Sequence, residues 1–257
     1  MKLSLLTPQA SAVMTLRLDD VTLVAIDSVA HDLTRLALEE CVWRVNFGDV
    51  LVYSDEPIGR GELRDRWIKT SSLRSWAEVT KIWWHWLPYD IETSHYLMIQ
   101  WDSWVIDPDA WDPLWLQWDY IGAPWPWHRT YRVGNGGFSL RSRRLAEHLA
   151  EHSERYPLVH PEDDALCRSY RPMLEAEGFR WAPDSVAQRF SFERGHPTSP
   201  TFGFHGAFNF PDVLGLSALH GRIAAATDYA TSKIEWREMM QRYRDKCFLS
   251  CCVRATP

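Results

Sequence analysis

Two short apolar runs with one helical repeat between them constrain this chain more than any other feature. Val21-Thr22-Leu23-Val24-Ala25-Ile26 and Val50-Leu51-Val52-Tyr53 are short and almost continuously apolar, which is the pattern of strands covered on both faces. Between them Leu33, Leu36, Ala37 and Cys41 recur at helical spacing behind Asp32, which can cap the first turn. Strands joined through a helix cannot close as a hairpin, so the crossover makes them parallel neighbours. The first run closes on Asp27 and the second on Ser54-Asp55-Glu56-Pro57.

A third buried run, Tyr96-Leu97-Met98-Ile99-Gln100-Trp101, ends at Asp102. The pattern predicts helices over 72–87, 142–152 and 184–190, with a further one starting near Pro161. A last strand is expected at Thr201-Phe202-Gly203-Phe204. Asp119-Tyr120-Ile121-Gly122 reads as the opening of a Pro- and Trp-rich loop, and Gly136-Gly137 as the lead into a strand at Phe138. The expected organisation is one α/β domain over 1–212 and a helical extension over 213–257 packed on it. Residues 215–257 carry seven Lys and Arg against four Asp and Glu. That excess reads as a solvated helix face, with peripheral contact to an anionic membrane surface as the alternative.

Bulk properties exclude several classes. A net charge of -6 argues against a general nucleic-acid binder, which needs a basic face, and leaves room for a local basic pocket. No apolar run reaches the length of a bilayer span, and the stretch before Pro8 is too short for a secretory leader. The expected location is cytoplasmic. Five scattered cysteines, an odd number, form no disulfide framework. Cys247, Cys251 and Cys252 read as free thiols near a helix end. Fifteen Trp supply wide apolar faces for cores and for stacking on sugar rings.

Four segments can carry chemistry. Asp102 directly follows a buried strand, where ligands of parallel sheets collect, and a single carboxylate there holds a cation only with help from substrate phosphates. Gly134-Asn135-Gly136-Gly137-Phe138-Ser139 allows close backbone approach but is neither a P-loop nor a dinucleotide fingerprint. Pro161-Glu162-Asp163-Asp164 places three acids at a helix start, where they either cap the helix or act as a general base. His205 could complete a metal site with Asp102.

Taken in order, these segments resemble an uncharacterised-domain family of GT-A-like glycosyltransferases. The segments that carry the resemblance are Ile99-Gln100-Trp101-Asp102, Asp119-Tyr120-Ile121-Gly122-Ala123-Pro124-Trp125, Val133-Gly134-Asn135-Gly136-Gly137-Phe138-Ser139-Leu140-Arg141-Ser142, Pro161-Glu162-Asp163 and Phe202-Gly203-Phe204-His205-Gly206. The layout is also similar to inverting galactosyltransferases of GT-A type. The resemblance implies a Rossmann-type sandwich with a central, mainly parallel sheet flanked by helices. It further implies transfer of a sugar from a nucleoside diphosphate sugar, UDP-sugars favoured, to a glycan or glycoconjugate hydroxyl. Asp163 would be the base, with Glu162 and Asp164 orienting the acceptor. Asp102 and His205 would hold Mn²⁺ or Mg²⁺; Gln100 stands where the first acid of the metal motif belongs. Asn135 and the amides of Gly136 and Gly137, with Ser139, would contact donor or acceptor. Asp27 and Asp55 would recognise base or ribose. Trp101, Trp104, Trp125 and Trp127 would form a stacking wall. The alternatives are a non-catalytic carbohydrate-binding protein and a glycoside hydrolase, which needs two carboxylates flanking one bond.

Overall fold

The computed structural model describes residues 15–59, 65–195, 197 and 200–253, with side chains as far as Asp245. The chain opens with β1 (Leu16–Ile26), α1 (His31–Arg44), β2 (Val45–Ser54) and β3 (Arg66–Lys69). β1 and β2 pair in parallel, Leu23 beside Val50 and Ala25 beside Val52, as the helical crossover requires. Next come α2 (Trp76–Lys81), a π-turn over Ile82–Trp86 and α3 (Leu87–Asp90). The helix expected from residue 72 begins later because Ser75 and Glu78 close a capping box ahead of Trp76.

β4 (His95–Ile99) pairs in parallel with the other edge of β1. β5 (Ser103–Val105), β6 (Tyr120–Gly122) and β7 (Phe138–Ser142) follow. β7 runs antiparallel between β4 and β6, giving the order β3-β2-β1-β4-β7-β6. The expected α/β class, a central and mainly parallel sheet flanked by helices, is what the protein has. One local expectation is refined: Tyr120–Gly122 form the short edge strand β6, with Ile121 opposite Leu140, before the chain enters the loop at Ala123. Asp119 anchors it by accepting from Ser142 Oγ at 2.5 Å, from the Arg180 amide at 2.8 Å and from Arg144.

The remaining helices are α4 (Arg143–Glu151), α5 (Glu162–Asp164), α6 (Arg171–Ala176) and α7 (Asp184–Phe190), with a π-turn over Ala165–Ser169 between α5 and α6. β8 (Ser191–Phe192) and β9 (Gly203–His205) join β5 in a second sheet of order β5-β9-β8. α8 (Phe210–Val213), α9 (Leu216–Ala224), α10 (Asp228–Ser232) and α11 (Ile234–Val253) complete the chain. The side chains of Cys247, Cys251 and Cys252 lie outside the described residues. Among the described residues, no helix is long and apolar enough to cross a membrane.

Side chains alternate between two cores, as the period of a strand demands. Leu23, Ala25, Val52, Leu97, Ile99 and Leu140 enter one, shared with α1 and the C-terminal helices. Val24, Leu51, Tyr53, Tyr96 and Met98 enter the other, under α2 to α6. The C-terminal segment is tied to the first core by Arg222 of α9, which is 2% exposed. It donates to the Leu33 and Leu36 carbonyls at 3.4 and 3.2 Å and lies over the Trp104 ring. Burial pulls its pKa down to about 10. Arg222→Met should lower the unfolding free energy by about 3 kcal/mol in urea titrations, because carbonyls and Glu40 lose their buried partner. Arg242→Ala, which removes a half-exposed partner of Asp212, should change it by less than about 1 kcal/mol.

Candidate functional site

The turn after β4 is built by the second sheet. Ser103 of β5 stands opposite His205 of β9 in an antiparallel ladder, so the residue before it, Asp102, meets the histidine. The turn is locked from behind: the Gln100 amide donates to Ser103 Oγ at 2.9 Å, and Ser103 Oγ donates to the Gly137 carbonyl at 2.6 Å. Asp102 is 5% exposed. Its Oδ2 accepts from the Ala207 amide at 3.1 Å, whereas its buried Oδ1 has no hydrogen-bond partner. That orphaned oxygen lies 3.5 Å from His205 Nε2, and Gln100 Oε1 lies 3.3 Å from the same nitrogen.

On the far side of the ring, Nδ1 lies 3.0 Å from Asn135 Nδ2 and 3.4 Å from Glu193 Oε1. Burial alone would strip the proton from His205. The Asp102 and Glu193 carboxylates outweigh it and hold the imidazole pKa well above its ordinary value. Among the described residues, no three His, Cys, Asp or Glu side chains group closely enough to hold a metal. The available donor set is therefore one carboxylate oxygen, one imidazole nitrogen and the neutral Gln100 amide oxygen. The orphaned Oδ1 and the spacings near 3.3–3.5 Å fit neighbouring ligands of a cation bonded at about 2.1 Å. Glu193 behind the ring is the kind of partner that orients a metal-bound histidine.

The glycine segment passes between this pair and the acidic helix start. A Cβ on Gly137 would come within 2.1 Å of His205 Nε2, and one on Gly136 within 2.5 Å of Glu162 Oε1. Asn135, at φ 66°, turns the chain into this corridor. The Gly136 amide, expected to meet substrate, donates instead to Asp163 Oδ2 at 3.0 Å. The other Asp163 oxygen accepts from the Asp164 amide at 2.9 Å. Asp164 itself is exposed and pairs with Arg168. Glu162 differs: burial first, and Asp163 second, push its carboxyl up to about 7.

A cavity of about 310 Å³ opens at the carboxyl ends of β1 and β4, the place where open α/β sheets bind ligands. Of the residues expected at the site, Asp27, Gln100, Trp101, Gly136 and Glu162 line it. Asp102, His205 and Asn135 adjoin it through Gln100. Asp27 accepts from the Val29 and Ala30 amides ahead of α1, and burial raises its pKa. Three expected residues lie elsewhere. Asp55 pairs with His31 at 2.8 Å. Ser139 accepts from Arg141 Nε at 2.8 Å and donates to the Gly136 carbonyl at 3.2 Å. Trp125 is buried against Gly134.

The expected tryptophan wall is not formed. Trp104 packs edge-on to Phe204 in the first core, Trp125 belongs to the second, and Trp127 is 59% exposed. Trp101 does line the cavity, joined by Trp76 and Trp83, which sequence reasoning left as helix packing.

Arg141 is the residue that sequence reasoning missed. It is 1% exposed on β7, beside Tyr96 and Tyr120 in the ladder, with the Trp83 ring 4.2 Å from its guanidinium carbon. Its Nη2 lies 3.9 Å from Glu162 Oε1. Its Nη1 is buried, as are Trp83 Nε1 and Ser28 Oγ, and all three residues line the cavity. The Tyr96 hydroxyl is the side-chain partner that both Arg141 and Trp83 face. No local signal marked it: in Phe138-Ser139-Leu140-Arg141 the arginine shares the polar face of the alternation with Ser139.

A central, mainly parallel sheet with a cavity at its carboxyl edge defines the fold as α/β. The chain belongs to the family described as a protein of unknown function (DUF5672), which residues 64–205 match. No curated protein matches it in sequence. Two solved structures are similar in fold. One is a mannosyltransferase from Pyrobaculum calidifontis in complex with GDP-Man and Mn²⁺, at 14% identity and TM-score 0.43, over 65% of this chain and 55% of that one. The chain thus spans about half the length of that protein. The other is a glycosyltransferase involved in glycosylation of the major capsid of PBCV-1, at 12% identity and TM-score 0.47, over 80% of this chain and 98% of that one.

Two predictions follow from the geometry. Gly137→Ala should lower the unfolding free energy by about 2 kcal/mol through overpacking against His205. Gly221→Ala, inside α9 with open space around its Cβ position, should raise it by up to about 1 kcal/mol in the same urea titrations. Glu162 makes a pH prediction of definite sign. Its folded pKa is raised, so the folded state holds the proton longer than the unfolded chain does. Stability should therefore fall as pH rises from its ordinary 4.5 towards about 7, with a slope of at most about 1.4 kcal/mol per pH unit. Subtracting the unfolding profile of Glu162→Gln from that of the wild type isolates this slope.

Proposed function

We propose that the protein is a glycosyltransferase that moves a sugar from a nucleoside diphosphate sugar to a hydroxyl of a glycan or glycoconjugate, with inversion at the anomeric carbon. The observation that carries this reading is the cavity of about 310 Å³ at the strand ends, lined by Glu162 and by Gln100, which connects it to the Asp102–His205 pair.

The donor's nucleoside lies against the end of β1, where Ser28 Oγ offers an unpartnered hydroxyl and Trp76 a partly exposed face. Arg74 and Lys233 line the same cavity and suit a diphosphate. Asp102, His205 and Gln100 would hold a divalent cation, Mn²⁺ or Mg²⁺, whose chemistry is to neutralise charge on the departing diphosphate. Proton acceptance falls to Glu162 in preference to Asp163. Glu162 lines the cavity, and its burial raises the carboxyl pKa, which strengthens it as a base. Both oxygens of Asp163 are occupied by backbone amides, which suits a role in holding the glycine segment.

The test is turnover of UDP-, GDP-, CMP- and dTDP-sugars with Mn²⁺ or Mg²⁺, alongside thermal shifts for the same pairs. A matching donor at a hundred times its Kd should stabilise the fold by about 2.7 kcal/mol. Glu162→Gln should cut kcat at least a hundredfold while leaving that thermal shift in place. Asp102→Asn should abolish the dependence of the shift on the cation. Full transfer by Glu162→Gln would remove the base assignment, and a donor shift indifferent to chelation would remove the cation.

A further inference from the structure

The Pro- and Trp-rich segment between β6 and β7 has no part in the reaction so far described. It folds as a closed excursion. Pro124 and Val133 bridge at its base, the Trp125 amide donates to the Arg132 carbonyl at 2.8 Å, and the Trp125 ring seals against Gly134. Two arginines hold it in place. Arg132 pairs with Asp184 of α7 at 2.7 Å. Arg168 donates to the Thr130 carbonyl at 3.1 Å, and its Nε lies 3.3 Å from Asp164. Arg168 therefore ties the loop to the helix start that carries Glu162. The loop leaves through Gly134 into the corridor between Glu162 and His205.

Trp127 stands out of this frame. Single exposed apolar side chains are ordinary, but the other tryptophans exposed by 40% or more have a face covered. Arg44 lies over Trp43 at 4.8 Å and Lys81 over Trp86 at 5.9 Å, while Trp76 stacks on His160 at 5.8 Å, 8° from parallel. Among the described residues, no cation and no parallel ring covers Trp127. Its Nε1 donates to His128 Nε2 at 3.1 Å, and the two rings meet at 61° with 5.9 Å between centroids. His128 in turn leans edge-on against the buried Trp125 at 5.5 Å. The indole is thus bonded through its one polar atom and presents an apolar face to water. Tyr131 is held at φ 50°, a left-handed conformation that bulky residues avoid, with Arg171 over its ring at 4.9 Å.

Size and surroundings decide what covers such a face. One indole is far below the roughly 800 Å² per partner that a stable protein interface buries. Its exposed neighbours are Pro126, Arg129 and Thr130, too little apolar area for a membrane anchor. A pyranose ring matches it, with a flat C–H face for the indole and hydroxyls at its edge for the polar neighbours.

We propose that Trp127 docks a sugar ring further along the acceptor than the one that reacts, so that the acceptor is an oligosaccharide chain and not a single sugar. The word acceptor rests on the transferase reading; the docking of a glycan chain rests on the loop alone. Trp127 supplies the stacking face, and His128 is a positioning residue that fixes it.

The experiment compares cellopentaose, maltopentaose and mannopentaose with the methyl glycosides of the same sugars. Affinities come from calorimetry, and contact is read from the Trp127 indole N–H resonance, assigned with Trp127→Phe. At least one pentasaccharide should move that resonance and bind at least tenfold tighter than its methyl glycoside. Trp127→Ala should cut this gain to less than threefold. His128→Ala, which releases the indole, should cut it by at least half with Trp127 still present. Trp43→Ala removes an exposed tryptophan of α1 and should leave the gain within twofold. Equal urea midpoints keep loss of fold out of the comparison. A Trp127 resonance that no pentasaccharide moves, a gain that survives Trp127→Ala, or a gain that Trp43→Ala removes equally overturns the inference. Turnover of nucleotide sugars separates the two readings. Transfer that is indifferent to acceptor length and to Trp127→Ala overturns the docking site and leaves the transferase standing. A length gain that depends on Trp127, in a protein that turns over no nucleotide sugar, does the reverse.

Discussion

The site depends on a stretch of backbone that carries no side chains. Gly136 and Gly137 thread between Glu162 and His205, with room for a Cβ at neither position. Because the chain is bare there, the metal-type pair and the acidic helix start can approach from opposite sides of one strand lead. The Gly137 carbonyl takes both the Ser103 hydroxyl and the Gln100 amide, so the same two residues also fix the turn that presents Asp102. Gly136 uses its amide on Asp163 and its carbonyl on Ser139 and Arg141. Rigid positioning of this kind comes from backbone groups, which have no rotamers to lose.

Two buried cations organise the charges on either side of that corridor. The Asp102 and Glu193 carboxylates raise the pKa of the His205 imidazole between them, and Arg141 is caged by aromatic rings with Glu162 as its neighbouring acid. The two differ in what they can release. The imidazole proton can give way to another cation, since Asp102 Oδ1 and Gln100 Oε1 already face Nε2. The guanidinium cannot lose its charge, so it polarises whatever oxygen reaches it. The charge on the imidazole is thus exchangeable and the charge on the guanidinium permanent.

The β-α-β start was legible because strand-length apolar runs and a helical repeat leave parallel pairing as the only short solution. Asp102 and His205 were legible one at a time, as polar residues at strand ends. Their contact was not, since it is made by the β5–β9 ladder, a pairing between residues 103 and 205 that no local pattern encodes. Asp119–Gly122 read as loop because three residues flanked by Trp and Pro carry little strand signal; the Asp119 anchor that fixes β6 depends on Arg144 and Arg180, distant in the chain. Arg141 was overlooked for a related reason. A charged residue in a strand reads as solvent-facing until the aromatic groups that cover it are known, and Trp83 and Tyr120 come from other elements. The glycines were read as aids to ligand approach, whereas their closest neighbours are the protein's own side chains.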